Sequence, residues 1–136
     1  MLKSNNFLVQ YRIYYEDSEV GGVVYYANYL KFFERARTEF LRHLGISQQK
    51  FMNEEKQIFE VRRCELDFIS PARLDDLVDI SVMLEEMGAA RITMKQEMSR
   101  NDKVLARLRV EIVCVGVEDF KPKKIEERVR SALKTN

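Results

Sequence analysis

Residues 16–29 read EDSEVGGVVYYANY, so Glu16, Asp17 and Glu19 stand ahead of two adjacent glycines and three tyrosines. A helical pattern begins where this stretch ends. Two readings are open. The segment is an ordinary turn between two elements, or it is a site where a carboxylate meets a helix N-terminus. In the second case the N–H groups of the first helical turn and the helix dipole favour negative charge beside them. Gly21 and Gly22, which carry no Cβ, would let the backbone approach a ligand closely.

Other chemistries find less support. His43 is the only histidine, and it lies toward the far end of the predicted helix, where a cation suits the dipole. No Cys/His cluster has metal-ligand spacing, so no metal and no cofactor is expected. G-x-S-x-G does not occur, and Ser18 has no histidine nearby to act as its base. Lys and Arg number 23 against 22 Asp and Glu, a net charge of +1. Nucleic-acid binding relies on an excess positive field, which is missing here. The two cysteines, Cys64 and Cys114, sit in apolar strand-like runs and read as small buried hydrophobes of a reducing compartment. The opening MLKSNNFLVQ lacks the apolar core of a signal peptide, and no apolar run reaches the ~20 residues that span a bilayer. A cytoplasmic protein is expected.

Next come the elements that must hold these residues. The 136 residues fit one domain over 1–136, with no repeat or linker to divide them. Phe7, Val9, Tyr11, Ile13 and Tyr15 alternate as one face of a strand. After the glycines, Leu30, Phe33, Ala36, Phe40, Leu41 and Leu44 recur at three- and four-residue steps and predict a helix. Asn28 is a candidate cap, and Gly45 stands where a C′ glycine belongs. Within the helix Glu34 and Thr38, like Arg35 and Glu39, are spaced as surface partners. A short helical or irregular piece covers 47–56. From residue 58 four strand patterns follow, IFEVRRCELDF, DLVDISVMLEEM, AARITMKQEM and KVLARLRVEIVCVGV, read as a meander. SRNDK at 99–103 reads as a hairpin turn. IEERVRSALK closes the chain as an amphipathic helix or tail. The class is α+β, one long helix facing an antiparallel sheet.

This order of elements carries a resemblance. YYEDSEVGGVVYYANYLKFFERARTEFLR is similar to the signature of the YbgC-type acyl-CoA thioesterases in the 4-hydroxybenzoyl-CoA thioesterase superfamily. FISPARLDDLVDI resembles a second segment of that family, and the match runs from about residue 7 to 130. The resemblance implies a hotdog fold, a curved antiparallel sheet wrapped around one central helix. It also implies a homodimer or homotetramer, with acyl-CoA bound between subunits, and acyl carrier protein as a further partner.

Thioester hydrolysis needs a carboxylate to activate or deliver an oxygen nucleophile, and donors for the developing oxyanion. A thiol of pKa ~8.5 leaves without much help from an acid. By register with the family, the catalytic acid falls on Glu19, where the family carries Asp. Asp17 is the second acid of the motif. Tyr26 occupies a position that is usually His in YbgC-type members, so its hydroxyl is the candidate group for positioning carbonyl or water. Gly21, Gly22, Val24, Tyr25, Ala27, Asn28 and Arg73 are the expected substrate-binding residues, with backbone amides of 24–27 polarising the thioester carbonyl. Tyr15 and Tyr29 flank the turn and read equally well as acyl-pocket walls or as packing. Arg62, Arg63, Arg91, Lys121, Lys123 and Lys124 are further candidates for the phosphates, none assigned. Two alternatives remain beside the enzyme: a hotdog that binds acyl-CoA or acyl carrier protein without turnover, and a protein-interaction module.

Overall fold

The computed structural model describes residues 7–134. In chain order the elements are β1 (Phe7–Arg12), α1 (Tyr26–His43), α2 (Gln48–Glu55), β2 (Gln57–Phe68), β3 (Leu77–Met87), β4 (Arg91–Arg100), β5 (Lys103–Gly116) and α3 (Glu127–Lys134). A single turn of 3-10 helix, Tyr15–Asp17, lies between β1 and α1. The five strands form one antiparallel sheet in the order β1-β3-β4-β5-β2, with α1 packed on it as the hotdog arrangement requires.

Helix α1 buries Tyr29, Phe32, Phe33, Ala36, Arg37, Phe40 and Leu41. This stripe is rotated from the expected one. Leu30 is 42% exposed, because residues 29, 32, 33, 36, 37, 40 and 41 complete the inner face without it. At the C-terminus Gly45, at φ +84°, donates to the Arg42 carbonyl, and Ile46 donates to that of Leu41. This double closure is a Schellman motif, and it places the glycine as the sequence predicts. Glu39 pairs with Arg42 rather than Arg35, whose guanidinium stacks on the Phe32 ring. Ser47 caps α2 by accepting from the Lys50 N–H.

On the sheet, Val78, Ile80, Val82 and Leu84 face inward and are buried, as the alternation predicts. In β5 Ala106, Leu108, Val110, Ile112 and Cys114 do the same. The register shifts opposite Met98 and Ser99, so Leu105 is buried as well as Ala106. The β4–β5 turn has positive φ at Asn101 and Asp102, the backbone of a two-residue type I′ hairpin.

Three expectations change. The meander comprises only β3, β4 and β5, because β2 pairs with β5 at the sheet edge and the chain then crosses to β3 beside β1. Segment 72–76 makes this crossing, tied down by the bonds described below. Next, β1 ends at Arg12, and Tyr15 lies in the 3-10 turn with 83% of its surface exposed. Lastly, Cys64 is exposed, since β2 is an edge strand and no element among the described residues pairs with its outer side.

Cys114 is fully buried, and burial, followed by the charges of Glu126 and Glu55, pushes its thiol up to about 11. The thiolate is the reactive form. Iodoacetamide at pH 8 is therefore expected to leave Cys114 unlabelled in the folded protein and to label it after denaturation, a difference that peptide mass mapping reads directly.

Candidate functional site

The glycine turn is a miniature hairpin. The Glu19 N–H donates to the Val23 carbonyl at 2.9 Å, and the Gly22 N–H donates to the Glu19 carbonyl at 2.9 Å. Ser18 and Val24 bridge just outside this pair. Gly21 and Gly22 lie at φ +94° and +76°, and a Cβ on either would meet nothing within 4 Å. The glycines are therefore required for backbone conformation; crowding is not the reason. A side chain in this left-handed region costs roughly 1–2 kcal/mol.

The hairpin is held by the crossing segment. Val24 N–H donates to the Ala72 carbonyl at 2.9 Å, and Leu74 N–H donates to the Gly22 carbonyl at 2.8 Å. Val23 and Arg73 bridge antiparallel between these bonds. Asp76 stabilises the segment by accepting from the Arg73 N–H at 2.8 Å and from Arg100 at 2.6 Å. Arg12 donates to the Asp75 carbonyl at 2.7 Å. This accounts for P-A-R-L-D-D as a structural clamp, with the Arg73 side chain left exposed next to the hairpin.

Tyr29 joins the clamp to the helix. Its ring is 4% exposed, and its hydroxyl accepts from the Ala72 N–H at 3.0 Å. Sequence reasoning left this tyrosine between two roles, and packing is where the structure puts it. Tyr29→Phe leaves a buried N–H without its partner and should lower stability by roughly 1–3 kcal/mol. Denaturant titration checks the value. Loss of the clamp should also loosen the hairpin, seen as faster amide exchange at Glu19 and Gly22.

Helix α1 starts without a side-chain cap and with no acid in its first turn. Tyr25 is the N-cap residue, and Asn28, the expected cap, instead donates its side-chain amide to the Asp17 carbonyl at 3.0 Å. Asn28 already lies in the helix, too late to reach the first N–H groups. The Tyr25 N–H donates to the same Asp17 carbonyl at 3.3 Å, and the Asn28 N–H to the Tyr25 carbonyl at 2.8 Å. The N–H groups of Tyr26 and Ala27 thus open the helix without a partner among the described residues.

The two acids differ. Asp17 turns its carboxylate onto the Tyr14 N–H at 2.8 Å and stabilises its own turn. Glu19 is exposed at the hairpin corner, and its side chain makes no hydrogen bond or ion pair among the described residues. It stands near Tyr25, whose phenol is raised above its ordinary value, chiefly by a hydrogen bond with Tyr26, with a smaller contribution from the Glu19 charge. The Tyr25 and Tyr26 rings lie 4.8 Å apart and are 41% and 64% exposed. Among the phosphate candidates, Arg62 is paired with Glu111 at 2.5 Å and Lys123 with Asp119 at 3.1 Å.

Exposed apolar side chains continue from this corner along the edge strand. Phe68, 53% exposed, packs edge-on against Tyr29 at 5.1 Å. Ile69 and Val61 are about half exposed, and Val61 shares a groove with Leu30. Sequence reasoning missed Arg37. It is 9% exposed and donates to the Gln96 side chain at 3.0 Å, while Gln96 donates to the Phe33 carbonyl at 3.0 Å. The available signal was a cation on the apolar stripe of α1, between Phe33 and Phe40.

Among the described residues no group of His, Cys, Asp and Glu could hold a metal ion, and no helix is long and apolar enough to cross a membrane. The model of the thioesterase-like superfamily matches residues 12–133. The chain is 40% identical to the acyl-CoA thioesterase YbgC of Haemophilus influenzae over 129 residues, 95% of each chain. It is 38% identical to the acyl-CoA thioester hydrolase YbgC of an Escherichia coli O157:H7 strain over 124 residues, 90% of this chain and 92% of the other. Among solved structures, a probable thioesterase from Bartonella henselae superposes with a TM-score of 0.84 at 36% identity, covering 88% of this chain and 98% of that one. The chain belongs to the thioesterase-like superfamily and, within it, to the YbgC-type proteins.

Proposed function

We propose that this protein is an acyl-CoA thioesterase, one domain that hydrolyses an acyl-CoA to the free acid and coenzyme A in the cytoplasm. The observation that carries the reading is an unengaged carboxylate, Glu19, on a hairpin clamped against the uncapped start of α1. A thioester whose carbonyl oxygen accepts from the Tyr26 or Ala27 N–H gains stabilisation as negative charge develops there. Glu19 then takes a proton from the attacking water, or attacks the carbonyl itself. Expulsion of the thiolate gives the free acid directly on the first route; on the second it leaves an anhydride on Glu19, which water then cleaves to the free acid and the regenerated carboxylate. The Tyr26 hydroxyl positions the carbonyl or the water. Asp17 holds the turn through Tyr14, which supports a structural role in place of a second base.

The exposed apolar strip along β2 and the start of α1 supports a homodimer formed through this edge, with the partner subunit closing the substrate site. A dimer of such dimers and an acyl carrier protein as acyl donor belong to the same reading. A hydrolysis screen across acetyl- to palmitoyl-CoA and benzoyl-CoA, following thiol release, tests it. Saturable cleavage of at least one thioester is expected. Binding of these compounds with no release of coenzyme A would instead favour a hotdog that holds acyl-CoA without turning it over.

A further inference from the structure

A groove of about 230 Å³ runs along α1 on its β2 side, walled by Leu30, Val61, Leu108 and Val110 and reaching Arg37. Arg37 is more than nine-tenths buried, and its single side-chain hydrogen bond among the described residues goes to Gln96. No carboxylate forms an ion pair with it among the described residues. Its other guanidinium nitrogens have no partner among the described residues, yet Glu55 Oε1 is the one fully sealed and unpartnered side-chain atom of those residues. Those nitrogens are therefore reachable, and the groove is what they line. Burial lowers the guanidinium pKa from its ordinary value, and Glu34 and Cys64 oppose that shift. An arginine keeps its charge in such surroundings. Lys31 and Glu34, both exposed, also line the groove. Arg37 is left as a buried cation that Glu34 influences through space but that no carboxylate contacts directly among the described residues.

We propose that this groove receives the acyl group and that Arg37 selects acyl groups ending in a carboxylate. The proposal rests on the thioesterase reading and adds a substrate class to it. Along the helix axis Leu30 lies about 6 Å and Arg37 about 16 Å beyond Tyr26. An acyl chain attached to a thioester at the helix start would pass the apolar walls first and meet the guanidinium at its far end. Gln96, itself anchored on the Phe33 carbonyl, fixes one edge of the guanidinium and presents the other. A carboxylate accepts from such a fork in charge-assisted bonds.

The test compares adipoyl- and sebacoyl-CoA with hexanoyl- and decanoyl-CoA, in the wild type, Arg37→Met and Arg37→Lys. The wild type is expected to favour the carboxylate-ended member of at least one pair about tenfold or more in kcat/KM. Arg37→Met should lose about 10–100-fold on that substrate and stay within about twofold on its methyl-ended match. Arg37→Lys should recover part of the preference. Equal losses on both members, or a wild-type preference for the methyl end, would overturn the proposal. So would an Arg37→Met protein that dissociates into monomers with its preference intact, since Arg37 would then serve a subunit contact. If no thioester is cleaved, the hydrolase reading fails by itself, and free adipate against free hexanoate still tests the groove by NMR. Adipate-specific shifts at Leu108 and Val110 that vanish in Arg37→Met support the proposal; their absence overturns it.

Discussion

Glu19→Gln lowers kcat by about 10²–10⁴-fold and leaves affinity for a non-hydrolysable acyl-CoA analogue within about threefold. The range follows from removing a positioned general base. The amide has the shape of the carboxylate but cannot take a proton or attack a carbonyl. Because the Glu19 side chain is exposed and has no partner among the described residues, the fold should not respond. Its stability should stay within about 0.5 kcal/mol of wild type. The hairpin geometry also survives, since it uses the backbone N–H and carbonyl of residue 19. Glu19→Asp keeps the acid and draws it back by one methylene, to the residue type that the family resemblance implies at this position. It should turn over faster than Glu19→Gln in single-turnover assays. Unchanged turnover in Glu19→Gln would move the chemistry to Asp17 or elsewhere.

Phe33→Ala lowers stability by about 3–5 kcal/mol, the ordinary range for removing a fully buried phenylalanine. Phe33 is 0% exposed and lies on the inner stripe of the helix packed on the sheet. Domains of this size have ~5–15 kcal/mol in total. The variant therefore sits near the limit of folding, with its melting midpoint down by roughly 10–15 °C. Circular dichroism melts and urea titration at constant m-value measure this. A loss below about 1 kcal/mol would mean that α1 is not the centre of the core.

These outcomes depend on features that the sequence displays unequally. The strands and α1 were legible because their apolar residues keep strict periods: Val78 to Leu84 by twos, Phe33 to Leu41 by threes and fours. Gly45 and the Asn101–Asp102 turn were legible because local backbone chemistry decides them. The place of β2 was not. Periodicity identifies a strand but not its neighbour, and here that neighbour is set by the clamp of residues 72–76 on the glycine hairpin. The exposure of Cys64 follows from that edge position, so it was hidden for the same reason. Asn28 has the composition of a cap, but its amide is drawn to the Asp17 carbonyl three residues into the arrangement of the helix start. The burial of Arg37 depends on Gln96, 59 residues away, and no local pattern announces such a pair.

The same long-range bonds explain why the site has its form. The hairpin alone would be a mobile loop of glycines. Tied to Ala72 and Leu74, and through Ala72 to Tyr29, it presents residue 19 at a fixed place beside the start of α1. Preorganisation of this kind is what an acyl-transfer site requires, since a displacement of ~1 Å can cost on the order of a hundredfold in rate.

A crystal structure with a non-hydrolysable ketone analogue of acyl-CoA, a methylene standing in place of the thioester sulfur, tests the central claim most directly. The expected structure has the acyl carbonyl oxygen within hydrogen-bond distance of the Tyr26 or Ala27 N–H, and the Glu19 carboxylate facing the carbonyl carbon, directly or through one water. An analogue bound with its carbonyl elsewhere, or residue 19 turned to bulk solvent while another acid faces that carbon, would contradict it.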